Sequence, residues 1–465
     1  MANLFEGRHP HPEERKGRGR ASRRVAPRSS HAELGSLRSP EDAVRLIEEQ
    51  NATRLKFLVP LRRGRMAANP FTFFRGSARI MAADLADTPR SGLDVQLGGD
   101  AHLSNFGAYA SPERRLVFDA NDFDETLPGP FEWDVKRLAA SFVIAARHNG
   151  LDPDQQREVA QRSVQSYREA MNTYSRMGVL RLHYDSADID DVAQHLSLLR
   201  GAAGRERLER FSQKAKTKDS TQALRKLTVE SDGRYRIRSD PPVLFPFSEL
   251  QHHGEVVDLG GAIETAWSGY LESVSDDLAA LIERFTPIDM ALKVVGVGSV
   301  GTRCAILLLE GRDRLDPFFL QFKEAGASVL EEFLEPSAYP HGGRRVVEGQ
   351  RRVQAASDPF LGWTSVPGGA QSYVRQLKDW KGSVDVEARS EQESLGYAEL
   401  CGLTLARGHA RTGDPIALRG YLGSGDVFDR AVAEFAVRYA DRNQECFEAF
   451  AAAIRDGELE ATTDG

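Results

Sequence analysis

The sequence predicts an α+β fold in which a small strand-rich unit, residues 291–380, is inserted between two mostly helical stretches. Three observations carry this reading. Apolar residues recur at helical spacing over residues 134–147, 393–410 and 426–454. Three strand candidates, ALKVVGVGSVG, TRCAILLLEG and PFFLQFKEA, follow one another across turns within the inserted unit. Between them and the N-terminus, residues 69–132 crowd aromatics, glycines and aspartates into short turn-rich segments, a texture that suits functional loops.

Taken in order, the first 38 residues read as a disordered basic tail. Eight Lys/Arg fall between Arg8 and Arg28, interleaved with Gly, Ser, Pro and His and without apolar periodicity. Order is expected to begin at Ser39-Pro40, where Ser39 or Glu41 can open a helix carrying Ala43, Val44, Leu46 and Ile47. A second unit, 39–290, contains the aspartate-rich loops. It continues into a helix from Asp134 to Arg147, with Val135, Leu138, Ala139, Phe142, Val143 and Ala146 on one face. A charged helical section follows, then KLTVE and RYRIR, which the turn Ser231-Asp232-Gly233 joins as a hairpin. A helix pair covers 261–285. After the three strands of the 291–380 unit come a helix over 343–356 and a strand, SYVRQLKDW. Residues 381–465 return to helix.

Composition sets the outer bounds. The chain has 465 residues, 41% apolar and 28% charged, an ordinary globular mix with ample length for a buried core. A net charge of −7 argues against coating by nucleic acid, leaving only the basic tail as a place for such contacts. Cys304, Cys401 and Cys446 are three, scattered and odd in number, so neither a disulfide framework nor a metal cluster is expected, and a reducing, cytoplasmic setting fits. No apolar run approaches the ~18 residues a membrane span requires.

Two segments could carry chemistry. The first is Gly99-Asp100-Ala101-His102-Leu103-Ser104-Asn105, followed by Asp122-Phe123-Asp124. A loop aspartate can accept a proton from an attacking hydroxyl. An asparagine shortly after it and an aspartate on the next strand can hold Mg²⁺ between phosphates, because that ion prefers oxygen ligands. The second is Gly296-Val297-Gly298-Ser299-Val300-Gly301. Alone this pattern is shared by dinucleotide-binding folds and kinase glycine loops. A dinucleotide fold needs a helix next and an acid at a later strand end. Here CAILLLEG continues as a strand, a further strand carries Lys323, and Asp316 sits in an Asp-Pro turn. Strand, glycine turn, strand, strand with lysine is the kinase order.

On these residues the chain resembles a known group. GGDAHLSNFG is similar to the G-D-x-H-x-x-N loop of aminoglycoside phosphotransferases, choline kinases and related members of the protein-kinase-like superfamily. FDANDFDET resembles their metal-binding aspartate strand. From Arg65 to Asp414 the chain resembles a bacterial family of unknown function assigned to that superfamily, with FFRG, DANDFDETLPGPFEWD, KVVGVGSVGTR, QFKEA, GQRRVQAASDPFLGW and HARTGD as further landmarks. The resemblance implies a two-lobed kinase-like fold, a β-rich N-lobe at 291–380 and a mostly helical C-lobe. Because Asp100 precedes Gly296, it also implies a circular permutation, with 39–290 C-lobe-like and 381–465 returning to that lobe.

Carried over residue by residue, the resemblance makes Asp100 the catalytic base, His102 its loop support and Asn105 a magnesium ligand. Asp122 is the preferred metal aspartate, with Asp124 as a second-metal ligand and Asp119 as the rival. Gly296, Gly298, Ser299 and Gly301 would approach the phosphates of ATP, and Lys323 would pair with them. Glu348 is the choice for the helical glutamate that orients Lys323, with Glu331 and Glu332 as rivals. Gln376 and Leu377 would form the hinge against the adenine. Asp134 resembles the helix-start aspartate of phosphotransferases. Gly98 stands where a histidine or its equivalent usually precedes G-D, and His409 or Arg411 could fill that space. Arg75 could clamp a phosphate or carboxylate, or form a structural ion pair. The implied activity is ATP-Mg²⁺-dependent phosphoryl transfer to a small hydroxylated acceptor. The alternatives are adenylyl transfer on the same fold, a non-catalytic ATP-binding regulator, and a nicotinamide enzyme should a helix follow Gly301.

Overall fold

The computed structural model describes residues 10–463 apart from 189–201, 232, 251–258, 367–368, 378 and 388. The first stretch is helical: α1 Pro12–Ser22, α2 Pro40–Asn51, α3 Val59–Met66, α4 Pro70–Arg75 and α5 Ala78–Leu85. Ser39 caps α2 through the Asp42 amide, and Asn69 with Thr72 forms a capping box on α4. Four short strands follow, β1 Asp94–Leu97, β2 Phe106–Ala110, β3 Leu116–Ala120 and β4 Leu127–Pro130. β1 pairs with β4 and β2 with β3, both antiparallel. Next are α6 Phe131–His148, α7 Pro153–Tyr174, α8 Ala202–Lys216 and α9 Ser220–Leu227. The expected hairpin forms as β5 Thr228–Ser231 and β6 Arg234–Ile237, then come β7 Leu244–Pro246, α10 Leu259–Ser273 and α11 Asp276–Ile282.

The strand-rich unit contributes β8 Thr286–Lys293, β9 Cys304–Glu310, β10 Pro317–Glu324, the helix α12 Gly342–Val353, β11 Gly362–Ser365 and β12 Gln371–Gln376. With β7 they form one six-stranded sheet in the order β11-β12-β10-β9-β8-β7, antiparallel throughout. The period-2 alternation of the strands divides its side chains between two cores. Leu307, Leu309, Phe318, Leu320 and Phe322 pack with Tyr270 of α10, whereas Ile306, Leu308 and Phe319 pack with Ala223 and Leu224 of α9. Lys323 therefore leaves the sheet on the Phe319 face, where Cys304 and Tyr373 are its cross-strand partners.

The chain closes with the two-residue strand β13 Gly382–Ser383 on β2, then α13 Glu391–Thr412, α14 Pro415–Leu422 and α15 Val427–Arg455. These helices pack on α6 and α7 around the largest core, whose aromatic centre includes Phe131 stacked on Tyr167 and tilted against Phe428. The architecture is thus α+β with helix predominating. Among the described residues no helix is long and apolar enough to cross a membrane.

The N-terminal stretch departs from the sequence expectation. The segment read as a disordered arm is folded from residue 10 onward: α1 lies against α14, and Ala26 and His31 are buried. The anchoring is polar, which is why hydropathy did not announce it. Arg15 and Arg18 converge on Asp414 at 2.7 and 2.6 Å, and Arg23 and Arg28 donate to the carbonyls of Gly420, Tyr421 and Leu422. Those carbonyls end α14, where cations are favoured by the helix dipole.

Candidate active site

The loop from Gly98 to Asn105 joins β1 to β2, and α6 holds it from below. Asp134, in the first turn of α6, accepts from the amides of Gly98 at 2.7 Å and Gly99 at 3.0 Å. Gly99 has φ 82°, and a Cβ there would lie 2.2 Å from the Glu125 carbonyl oxygen, so this residue must be glycine. His409 of α13 lies 3.2 Å from Asp134, with its other ring nitrogen 2.9 Å from the Tyr167 hydroxyl. It is fully buried and reaches the Gly98 amide only through Asp134.

Asp100 is positioned by this frame. Its Oδ1 accepts from Arg137 Nε at 2.5 Å, and its carbonyl accepts from the His102 amide and the Asn105 side chain, both at 2.8 Å. Burial pushes the Asp100 carboxyl above its ordinary value, while Arg137 and then Arg75 pull the other way. His102 is buried 3.8 Å from Asp100 Oδ2 and is held neutral, first by desolvation and then by Arg75 and Arg137.

The Asp122-Phe123-Asp124 triplet is pinned by its middle residue. Phe123 is buried among Val346, Val347 and Tyr373, beneath α12, which turns the two flanking carboxylates outward. Asp124 accepts from Lys323 Nζ at 2.7 Å and from the Tyr373 hydroxyl at 2.6 Å. Against the desolvation of its burial, these two donors hold it below the usual aspartate range. Asp122 Oδ1 lies 3.6 Å from Lys323 Nζ, is buried and has no hydrogen-bond partner among the described residues. Desolvation and then Asp124 raise its carboxyl, with Lys323 opposing. Lys323 is itself buried yet stays firmly charged, because Asp122 and Asp124 outweigh its desolvation.

Both loops open onto one cavity of about 600 Å³. Asp100, His102, Asn105, Asp122 and Asp124 line it from one side, and Gly296, Gly298 and Ser299 from the strand-rich unit. The glycine turn is held by its carbonyls: Arg54 donates to Val300 at 2.5 Å, the Leu55 amide to Gly301 at 2.8 Å, and Arg65 to Gly296 at 3.1 Å. Among the described residues, no group accepts from the amides of Gly298 and Ser299. After Gly301 the chain continues into β9 and not into a helix, so the dinucleotide arrangement is not the one adopted.

Four other expected residues fall elsewhere. Asp119 is paired with Arg407 at 2.8 Å and accepts from the Ala355 amide, buried outside the cavity. Glu348 makes no contact with Lys323, whose carboxylate partners are Asp122 and Asp124. The face of α12 nearest the triplet instead presents Arg345, which donates to the carbonyls of Thr126, Asp124 and Gly326. The rivals do not reach Lys323 either, since Glu331 approaches Arg345 and Glu332 pairs with Arg79. Gln376 and Leu377 do not line the cavity; their amides already donate to Asp358 and to the Phe319 carbonyl, and the Leu377 side chain belongs to the sheet core.

Arg137, Arg345 and Tyr373 are site residues that the sequence reading missed. Only Arg137 left a trace, as a cation three residues after Asp134 in the helix that follows the aspartate loops. Arg75 does line the cavity, with Nε buried and without a hydrogen-bond partner.

Among the described residues no group of three or more His, Cys, Asp or Glu could hold an ion. Asn105 donates through Nδ2 to Asp100, leaving its Oδ1 available, and Asp122 offers an unpartnered buried oxygen. Such a sparse oxygen set suits an ion that takes its remaining ligands from phosphates and water.

A family model described as uncharacterized protein conserved in bacteria (DUF2252) matches residues 54–453. The chain belongs to that family. No curated protein and no solved structure matches it. The DUF2252 match spans every residue that lines the cavity from Arg54 to Arg345.

Proposed function

We propose that this DUF2252 protein is an ATP-Mg²⁺-dependent phosphotransferase acting on a small hydroxylated acceptor, built on a circularly permuted kinase-like fold. One observation carries the reading. Asp100, Asn105, Asp122 and the Gly296–Ser299 turn, distant in sequence, face one cavity, with Lys323 buried directly behind the aspartates. The order of β8, glycine turn, β9, β10 with lysine and then α12 supports the kinase-like assignment of the strand-rich unit. The position of that unit after the aspartate loops supports the permutation.

Bound Mg²⁺-ATP would supply the transferable phosphoryl group and the charge that neutralises it. The protein's part is positioning and electrostatics. The unengaged amides of Gly298 and Ser299 suit phosphate oxygens. Asn105 Oδ1 and Asp122 would hold the ion, with Asp124 as a further oxygen donor. Lys323 opposes the effect of burial on both aspartates and outweighs it at Asp124. Asp100, aligned by Arg137, accepts the proton of the acceptor hydroxyl. Glu348, Gln376 and Leu377 have no part in this mechanism.

The test is phosphorus NMR of ATP and Mg²⁺ incubated with a panel of hydroxylated metabolites. ADP and a new phosphoester are expected from wild type, and Asp100→Asn is expected to slow their formation by about 10²–10⁴-fold with ATP affinity kept. Pyrophosphate with an AMP ester would instead mean adenylyl transfer, and overturn the phosphoryl reading.

A further inference from the structure

Between α1, the end of α7 and the end of α14 lies a second concavity, of about 510 Å³, outside the cavity described above. Lys16 and Arg20, one helical turn apart on α1, face it together. Arg168 of α7, Arg176 just past its end and Arg419 of α14 contribute three more cations. Arg23 and Arg28, just after α1, complete the set, and Glu169 is the one carboxylate in the lining.

Arg23 and Arg28 are built into place. Arg23 donates through Nε and one terminal nitrogen to Tyr421 and Gly420, and Arg28 through one terminal nitrogen to Leu422, at 2.6–2.8 Å. A Cβ on Gly423 would lie 2.8 Å from one guanidinium and 2.9 Å from the other, so the two converge over that glycine. Each keeps N–H groups that these carbonyls do not use. The Arg23 guanidinium is lowered by burial, then by the charges of Arg28 and Arg20.

Compensation is partial. Arg168 is paired with Asp429 at 2.8 Å and Lys16 with the exposed Glu13 at 3.3 Å. Arg20 and Arg419 have no carboxylate within 4.0 Å among the described residues. Gathering like charges round a concavity is unfavourable unless an anion enters it. Guanidinium forks match the geometry of phosphate oxygens, and the volume is that of a small-ligand site.

We propose that this basin binds a compact ligand carrying two or more phosphate groups. Inorganic polyphosphate and nucleoside polyphosphates share that chemistry. The site is independent of the proposed catalytic cavity, so the two can fail separately.

Calorimetric titration of inorganic triphosphate without magnesium tests it, using wild type, Arg20→Ser/Arg419→Ser and Lys323→Ala. One site per chain is expected, weakened at least about tenfold in the double variant, unchanged in Lys323→Ala, and weaker as salt rises from about 50 to 200 mM. Circular dichroism of the double variant checks that it folds. Parallel titration of metal-free ATP into Lys323→Ala separates the sources: tighter binding than triphosphate identifies a nucleotide, equal binding the inorganic chain. Absence of triphosphate binding overturns the proposal. So does binding that is lost in Lys323→Ala but kept in the double variant, or capture of a single-stranded RNA by wild type without any binding of triphosphate.

Discussion

Asp119 and Asp122 show how much position decides at the scale of one residue. Both follow Asn105 at spacings that suit a metal aspartate, yet Asp119 is committed to Arg407 and the Ala355 amide while Asp122 keeps a buried oxygen without a partner. Their asparagine variants should therefore separate. Asp119→Asn leaves a buried guanidinium uncompensated and is expected to lower unfolding free energy by about 3–5 kcal/mol in urea denaturation. Asp122→Asn is expected to change it by less than about 1 kcal/mol and to abolish the magnesium dependence of ATP binding. Equal stability losses would remove the distinction. Lys136 makes a second case. It is buried in α6, its Nζ has no hydrogen-bond partner among the described residues, and desolvation brings it down to about 7 despite Glu132 and Glu33. Its folded value lies below the ordinary lysine value, so between pH ~7 and ~10 the unfolded chain binds more protons. The penalty is full below pH 7 and relieved as pH rises through that window. Lys136→Met, which keeps contact with the Phe435 ring 4.5 Å from Nζ, is expected to stabilise the protein by about 1–3 kcal/mol at pH 6 and by less at pH 9. Destabilisation at pH 6 would contradict this.

Elements were legible where periodicity was strong. The apolar face of α6, the strands β9 and β10 and the hairpin of β5 and β6 all lie where the sequence placed them. α1 was not legible, because nothing in its composition reveals that its arginines find a carboxylate and helix-terminal carbonyls some 400 residues away in sequence. Its fit rests on close backbone approach: a Cβ on Gly19 would lie 1.9 Å from the Ala417 carbonyl oxygen. Gly19→Leu is expected to lift α1 off α14, and limited trypsin digestion should then cut among Arg15 to Arg28, where wild type resists. Identical digestion of the two would show that α1 does not depend on that contact. α12 was placed correctly as an element and misread as a face. The glutamate expected towards Lys323 points elsewhere, and Arg345 occupies the approach to the triplet. Helical spacing fixes which residues share a face, but not which face meets the next unit.

At the scale of the molecule, the candidate site lies where the strand-rich unit meets the aspartate loops of the helical body. Phe123 fastens the two by burying itself under α12, and Lys323 reaches across to Asp124. The loop residues of the site were legible because Asp, Asn and Gly in fixed order are informative without tertiary context. The supporting arginines were not, since Arg137 and Arg345 gain meaning only from what folds against them. The mixed architecture was legible as well, as a strand-rich insertion between helical stretches. On the function proposed above, this junction binds a nucleotide through magnesium. Calorimetric titration of ATP, with and without Mg²⁺, into wild type, Lys323→Ala and Asp122→Asn tests it most directly. A magnesium-dependent component of ATP binding is expected, weakened by at least about tenfold in each variant, beside any magnesium-independent binding at the arginine-lined basin. Absence of that component in wild type, or a component that ignores both substitutions, would contradict the proposed site.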